Sequence, residues 1–376
     1  MSGQAIQYIE DAANLSAALR TLAASEFVAL DTEFMRESTY YPKLCLIQLA
    51  TLDHCAIIDP LVIEDLDELW AFLSDRAHVK VLHAARQDLE VLDCRQATRI
   101  GPIFDTQIAA ALLGQSAQIG YGPLVSLRLG RSLAKGHTRT DWSRRPLNQE
   151  QLEYAADDVR YLAPLYLNLR NELEERGRLA WLEEESHELE RNDAFKVDPL
   201  QAWRRLKGLD RLRPEQRATA KLLAQWREEL AIKHDRPRGW ILSDEALRAI
   251  SERMPANTKA LEAITSLPAG LVRKRGAELL EIVERGRQAR ETEAESVQAP
   301  RPEPAQLALV TKLMNFVRGH AHAMQVSPEL LATRKDVEQL VFSGKTAHLL
   351  EGWRREAIGE RLIAIAKAER SGDRQS

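Results

Sequence analysis

The stretch Phe-Val-Ala-Leu-Asp-Thr-Glu-Phe, residues 27–34, constrains the fold more than any other part of the chain. Phe27, Val28, Ala29 and Leu30 have the apolar, partly β-branched character of a buried strand, entered from polar Ser25 and Glu26. Strand side chains alternate, so Asp31 and Glu33 share one face. Two carboxylates side by side at the end of an apolar strand repel each other and are costly to desolvate, unless a cation or a buried base neutralises them. Carboxylate oxygens suit hard divalent ions such as Mg²⁺ and Mn²⁺, and the sequence holds no Cys/His cluster of zinc type. A solvated strand end is the alternative reading, and the rest of the chain decides against it.

Around this strand the pattern predicts an α/β domain. Residues 5–9 read as a short strand, and Asn14 as the cap of a helix with Leu15, Ala18, Leu19 and Leu22 on one face. Segments 44–50 and 54–59 read as two further strands, completing a meander with the carboxylate strand. Next come a helix at Leu66–Leu73, a strand at 79–83, a helix from about Arg86, a strand at 103–105 and a helix through Ala109–Leu113. That alternation predicts a mixed sheet flanked by helices, with sites gathered at the carboxyl ends of strands. Residues 115–147 read as Gly-rich and irregular in places, either a long functional loop or a connection with a short helix in it. Asn148 with Gln151 forms a capping box that opens a helix through Glu153-Tyr154-Ala155-Ala156-Asp157-Asp158. Tyr154 and Asp158, four apart, share a face of it, while Asp157 points roughly 100° away.

The rest of the chain reads as helical. A Glu-rich connector at 172–192 precedes an all-α domain at 195–290, a linker at 291–306 and a further all-α unit at 307–370. In the first of these, Ala218, Leu222, Trp226 and Leu230 form a candidate core stripe with Lys221 and Arg227 outside. Net charge is only −4, but residues 195–290 carry 21 Lys/Arg against 13 Asp/Glu, an asymmetry that fits a polyanion partner. Cys45, Cys55 and Cys94 sit in apolar segments without paired spacing and read as reduced core residues. With no membrane-length apolar run and no signal-like N-terminus, the expectation is a cytoplasmic protein, and nothing in the pattern predicts more than a monomer.

Asp31 and Glu33, Asp88 in HAARQDLEVL, and Tyr154 with Asp158 in YAADD occur in the order and context of the three exonuclease motifs of the DEDD superfamily, tyrosine subclass. The intervening RESTYYPKLCLIQLA, FDTQIAAALL and TDWSRRPL resemble the ribonuclease D family. WRRLKG and LLAQWREELAIKHDRPRGWILSDEAL resemble its helicase-and-ribonuclease-D C-terminal domain, and ELLATRKDVEQL with LLEGWRREAIGERL resembles a divergent second copy.

The resemblance implies an RNase H-like exonuclease domain at 1–192 followed by two such helical domains. It also implies 3′ to 5′ hydrolysis of RNA to nucleoside 5′-monophosphates, with tRNA precursors carrying 3′ extensions as the usual substrate. It implies two metal ions about 3.5–4 Å apart, with Asp31 shared between them, Glu33 and Asp158 completing one and Asp88 supporting the other through water. Tyr154 is then expected to hold the attacking water, and Phe34 and Met35 to contact the terminal nucleotide. A phenol, mostly protonated at neutral pH, suits orientation better than general base chemistry. Arg36, Tyr40, Arg144 and Arg145 read either as phosphate or base contacts or as plain surface residues, and His83 reads as a packed, hydrogen-bonded imidazole. A DNA exonuclease, a carboxylate-dependent endonuclease or phosphatase, and a non-catalytic RNA-binding protein are the competing readings.

Overall fold

A computed structural model describes residues 4–93, 99–133, 140–191, 195, 197–289, 302–346 and 348–372. Cys94 and most of the 291–306 linker lie outside the described residues.

The N-terminal part is built from β1 (Ile6–Ile9), α1 (Ala12–Leu22), β2 (Phe27–Met35), β3 (Lys43–Ala50), β4 (Cys55–Ile58), α2 (Asp67–Ser74), β5 (Val79–Leu82), α3 (Arg86–Asp93), β6 (Ile103–Asp105), α4 (Thr106–Leu112), α5 (Tyr121–Leu129), α6 (Gln149–Arg160), α7 (Leu162–Glu175) and α8 (Leu179–Leu189). The strands form one sheet in the order β1-β4-β3-β2-β5-β6. β3 and β4 are antiparallel, whereas β1 with β4, β2 with β5 and β5 with β6 are parallel, giving the mixed sheet expected. β2 is central and its apolar half, Phe27 to Leu30, is buried. It does not stop at the carboxylates but runs on through them to Met35, so Asp31 and Glu33 are held by sheet pairing rather than by a loop.

Several boundaries differ from the sequence reading for local reasons. Asp11, not Asn14, caps α1, because its carboxylate accepts from the Asn14 amide at 2.8 Å. Of the two readings of 115–147, the connection with a short helix is the one found: α5 lies there and closes on Gly130 in the left-handed region. The capping box of Asn148 and Gln151 forms as expected.

By packing, the chain forms two compact units, residues 1–34, 44–194 and 301–376 in one, and 35–43 with 195–300 in the other. Where the sequence reading sets three successive bodies, the C-terminal helices therefore belong with the sheet. These are α14 (Pro304–Met324), α15 (Pro328–Leu331), α16 (Arg334–Ser343) and α17 (Glu360–Gly372), the first beginning before the predicted 307. The seam is specific. Arg178 donates to the carbonyls of Leu112 at 2.7 Å and Gln325 at 3.1 Å, and Ser327 N–H to that of Ala111 at 2.8 Å. Trp353 stacks on Trp181 at 4.5 Å, and Arg354 forks onto Glu185. Gly114, at φ +90°, lies so close to the Gln325 carbonyl that a Cβ would stand 3.1 Å from it.

The other unit contains α9 (Pro214–His234), α10 (Arg238–Ile241), α11 (Asp244–Arg253), α12 (Thr258–Glu262) and α13 (Ala269–Gln288). Its core takes Ala220, Leu223 and Ala224 from α9, so the buried stripe is rotated about one residue from the predicted Ala218, Leu222, Trp226 and Leu230. Arg227, expected outside, is only 3% exposed and donates to the Leu242 carbonyl at 3.0 Å and to Asp244 at 2.6 Å. The helix packs on three others and on the 3₁₀ turn Pro199–Arg205, and burial on several sides blurs its amphipathic signal. Segment 35–43, which continues directly from β2, is held in this unit by α9. The Tyr40 and Tyr41 amides both donate to Asp235 at 3.0 Å, and the Tyr40 hydroxyl donates to buried Glu228 at 2.5 Å.

Candidate active site

β2 and α6 bring three of the predicted residues together. Asp31, Glu33 and Asp158 each offer one oxygen, and these atoms lie within 4.8 Å of one another. All three side chains are partly buried. Burial, and then the charges of Asp88, Asp158 and Glu33, push the Asp31 carboxyl well above the usual carboxylate range. Glu33 is pushed up to about 8 by burial and by Asp158 and Asp88. Asp158 is pushed up to about 7 by burial and by Asp157, although a hydrogen bond from Tyr154 opposes the shift. Crowded acids with raised pKa values are unstable as anions without a counter-charge. The donor set, carboxylate oxygens without thiol or imidazole, fits a hard divalent cation.

Asp88 stands beside this trio rather than in it. It is 8% exposed, accepts from the Thr32 hydroxyl at 2.6 Å, and burial pushes it up to about 6. Thr32 thus ties α3 to the carboxylate strand, a contact the DxE spacing alone did not reveal. Tyr154 donates to Asp158 one turn along α6, and burial together with the Asp158 charge raises its phenol. Asp157, by contrast, pairs with Arg160 at 3.2 Å. Phe34 and Met35 are partly buried at the end of β2.

Arg145 is not a surface phosphate contact. Its guanidinium forks onto Asp59, whose side chain is fully buried, and donates to the Cys45 and Trp142 carbonyls at 2.8 and 2.7 Å. The Tyr8 hydroxyl donates to the same carboxylate at 2.5 Å. This knot fixes the turn on which Trp142, only 3% exposed, sits 6.0 Å from the Tyr154 ring at 31°. Arg144 remains on the surface, paired with Asp141 at 3.0 Å, and Tyr40 is engaged by Glu228.

A further positioning group, Asp105, went unread in the sequence. Asp105 caps α4 through the Gln107 and Ile108 amides and also accepts from Ala84 and Ala85 at 3.1 and 2.9 Å, pinning the turn that leads to Asp88. The Asp-Thr pair before an apolar helical run was the available signal. His83 is half-buried and hydrogen-bonded as expected, and desolvation holds its imidazole below the usual value.

Residues 6–174 match the family model for a 3′-5′ exonuclease, and residues 216–283 that for an HRDC domain. Ribonuclease D of Pseudomonas paraeruginosa is 38% identical over 95% of this chain and 96% of its own. Ribonuclease D of Granulibacter bethesdensis is 37% identical over 95% and 91%.

The chain belongs to the ribonuclease D family.

The crystal structure of Escherichia coli RNase D, described as an exoribonuclease involved in structured RNA processing, superposes with a TM-score of 0.87 at 33% identity, covering 97% of this chain and 99% of that one. The sheet and its helices are therefore the family's exonuclease fold, and the protein is a 3′-5′ exoribonuclease. The family match includes one HRDC domain, followed by the further helices α14–α17. Among the described residues no helix is long and apolar enough to cross a membrane.

Proposed function

We propose that the protein trims 3′ extensions from tRNA precursors, releasing nucleoside 5′-monophosphates one at a time. The observation that carries the site assignment is the convergence of Asp31, Glu33 and Asp158 within 4.8 Å, with Tyr154 hydrogen-bonded to Asp158. Asp31, Glu33 and Asp158, supported by Asp88, would hold two divalent ions, Mg²⁺ or Mn²⁺. Bound there, such ions supply Lewis acidity at the scissile phosphate and activate water.

The protein's own groups do the rest. Tyr154, with its phenol raised by burial and by the Asp158 charge, keeps the proton it donates to Asp158, and its oxygen holds the attacking water in line as a hydrogen-bond acceptor. Trp142 restricts the Tyr154 ring, and Thr32 aims Asp88. Phe34 and Met35 pack against the terminal nucleotide.

The HRDC domain grips the RNA backbone, in keeping with its basic excess and with an exposed run containing Lys233, His234, Arg236, Arg238 and Trp240, the last 62% exposed. The helices after 304 are a divergent second copy of that domain. Helices α9, α10 and α11 have 21, 4 and 10 residues, and so do α14, α15 and α16. Both long helices open with Pro at the first position and a capping Gln two residues later, Pro214 with Gln216 and Pro304 with Gln306. Both end on a left-handed non-glycine residue, Asp235 or Gln325. The functional reading includes a cytoplasmic monomer.

The test is digestion of a tRNA precursor bearing a short 3′ extension, with chromatography of the products. Mononucleotides and a shortened 3′ end support the reading. Internal fragments or free phosphate contradict it.

A further inference from the structure

α6 does not pass smoothly into α7. The two are separated by Tyr161 at φ −90° and ψ −13°, and α7 carries Pro164 in its first turn, which has no N–H to offer the preceding helix. In an unbroken helix the Tyr161 amide would bond the Asp157 carbonyl. Here that amide turns toward the Val159 carbonyl and the hydroxyl of Tyr121. The same hydroxyl donates to the Asp157 carbonyl at 2.9 Å. The phenol thus takes the place of the Tyr161 amide as the donor to that carbonyl. The Asp157–Tyr161 rung spans Asp158, Val159 and Arg160, and Asp158 is the first of these.

Tyr121 is itself fixed from the Asp88 side of the site. His83, five residues before Asp88, lies 5.7 Å from the Tyr121 ring, and its Nε2 meets the Ile119 carbonyl at 3.0 Å. A carbonyl only accepts, so Nε2 carries the proton, and Nδ1 lies 2.9 Å from the Thr106 hydroxyl. Gln107 donates to the same Ile119 carbonyl at 2.9 Å. The backbone just before Tyr121 is thus clamped by the turn that leads to Asp88, and its hydroxyl clamps the turn that carries Asp158.

We propose that Tyr121 is a positioning residue for the metal-ligating end of α6, its hydroxyl replacing the Asp157–Tyr161 rung and so setting where Asp158 stands beside Asp31 and Glu33. The role is exerted through Asp158 and not by contact with RNA. It rests on Asp158 being a metal ligand. Without the hydroxyl the Asp157 carbonyl loses its donor, and α6 re-closes its ladder onto it, which turns Asp158 away from the β2 carboxylates.

The experiment compares the full chain with Tyr121→Phe, which keeps the ring. Mn²⁺ alone is titrated by calorimetry without RNA, and kcat and KM are then measured on a single-stranded oligoribonucleotide. Expected are a Mn²⁺ affinity lower by roughly tenfold or more, a kcat reduced in parallel and partly restored at high Mn²⁺, and a KM for RNA changed by less than about twofold. A folded Tyr121→Phe protein with wild-type Mn²⁺ affinity and kcat would overturn the proposal. Asp158→Asn, run alongside, separates the assumptions, since unaltered Mn²⁺ binding there removes Asp158 as a ligand. Should thermal melting show that Tyr121→Phe does not fold, His83→Gln, which loosens the clamp at Ile119, is expected to weaken Mn²⁺ binding in the same direction. Wild-type affinity in that variant would equally overturn the proposal.

Discussion

Tyr154 and Asp158 stand one turn apart on α6, and the phenol donates its hydrogen bond to the carboxylate. That bond favours the charged form of Asp158 and opposes the burial that raises it. Asp157, its chain neighbour, faces Arg160 instead.

Asp158→Asn is therefore expected to lower kcat by on the order of a thousandfold, and Asp157→Asn by less than about threefold. Steady-state kinetics on a labelled oligoribonucleotide decides it. Equal losses from both substitutions would mean that α6 presents a different face.

The acid cluster has a pH signature. Glu33, Asp158 and Asp88, pushed up to about 8, 7 and 6, lie above the values of their unfolded counterparts, near 4. Between those limits the folded state holds more protons, so stability declines as pH rises. In EDTA the melting temperature should fall from pH 5 to pH 8, and added Mg²⁺ should raise it more at pH 8 than at pH 6. Asp31→Asn with Glu33→Gln should flatten both trends, and unchanged slopes in that variant would contradict this.

Arg145 supports the site from a distance. Arg145→Ala leaves the Asp59 carboxylate, already fully buried, without its cation, and is expected to cost about 3–5 kcal/mol in denaturant unfolding. Because the same guanidinium holds the Trp142 turn, kcat should fall as well, while Arg144→Ala on the exposed side should leave both unchanged. Loss from Arg144→Ala and none from Arg145→Ala would restore a surface role for this pair.

The exposed run on the HRDC domain predicts a binding effect that spares chemistry. Changing Lys233, Arg236 and Arg238 to Gln and Trp240 to Ala should weaken binding of a tRNA precursor and reduce the steepness of its salt dependence by up to about three contacts. The kcat on a short oligomer should hold. Deleting everything after residue 194 is a poorer test, because segment 35–43, which continues from β2, loses the Asp235 and Glu228 contacts that hold it.

Much of this was legible in the sequence. Short apolar, partly β-branched runs located the strands, and the i, i+4 spacing put Tyr154 and Asp158 on one face. What could not be read depends on partners distant in the chain. Arg145 looked like a surface cation because nothing local showed Asp59 beneath it. Arg227 looked exposed because α9 is surrounded, and a helix covered on several sides loses its polar face. Tyr121 lay in a stretch read as irregular in places, and its hydroxyl matters only because α6 breaks at Tyr161, a break that Pro164 hinted at.

The central claim is that Asp31 belongs to a metal-dependent site that shortens RNA from its 3′ end. Its most direct test is digestion of a 5′-labelled single-stranded RNA with Mg²⁺, Mn²⁺ or EDTA, using the wild type and Asp31→Asn, with a DNA oligomer alongside. A ladder of RNA shortened one nucleotide at a time, absent with EDTA and in the variant, is the predicted result. An identical ladder from Asp31→Asn, or one that persists in EDTA, would contradict the account.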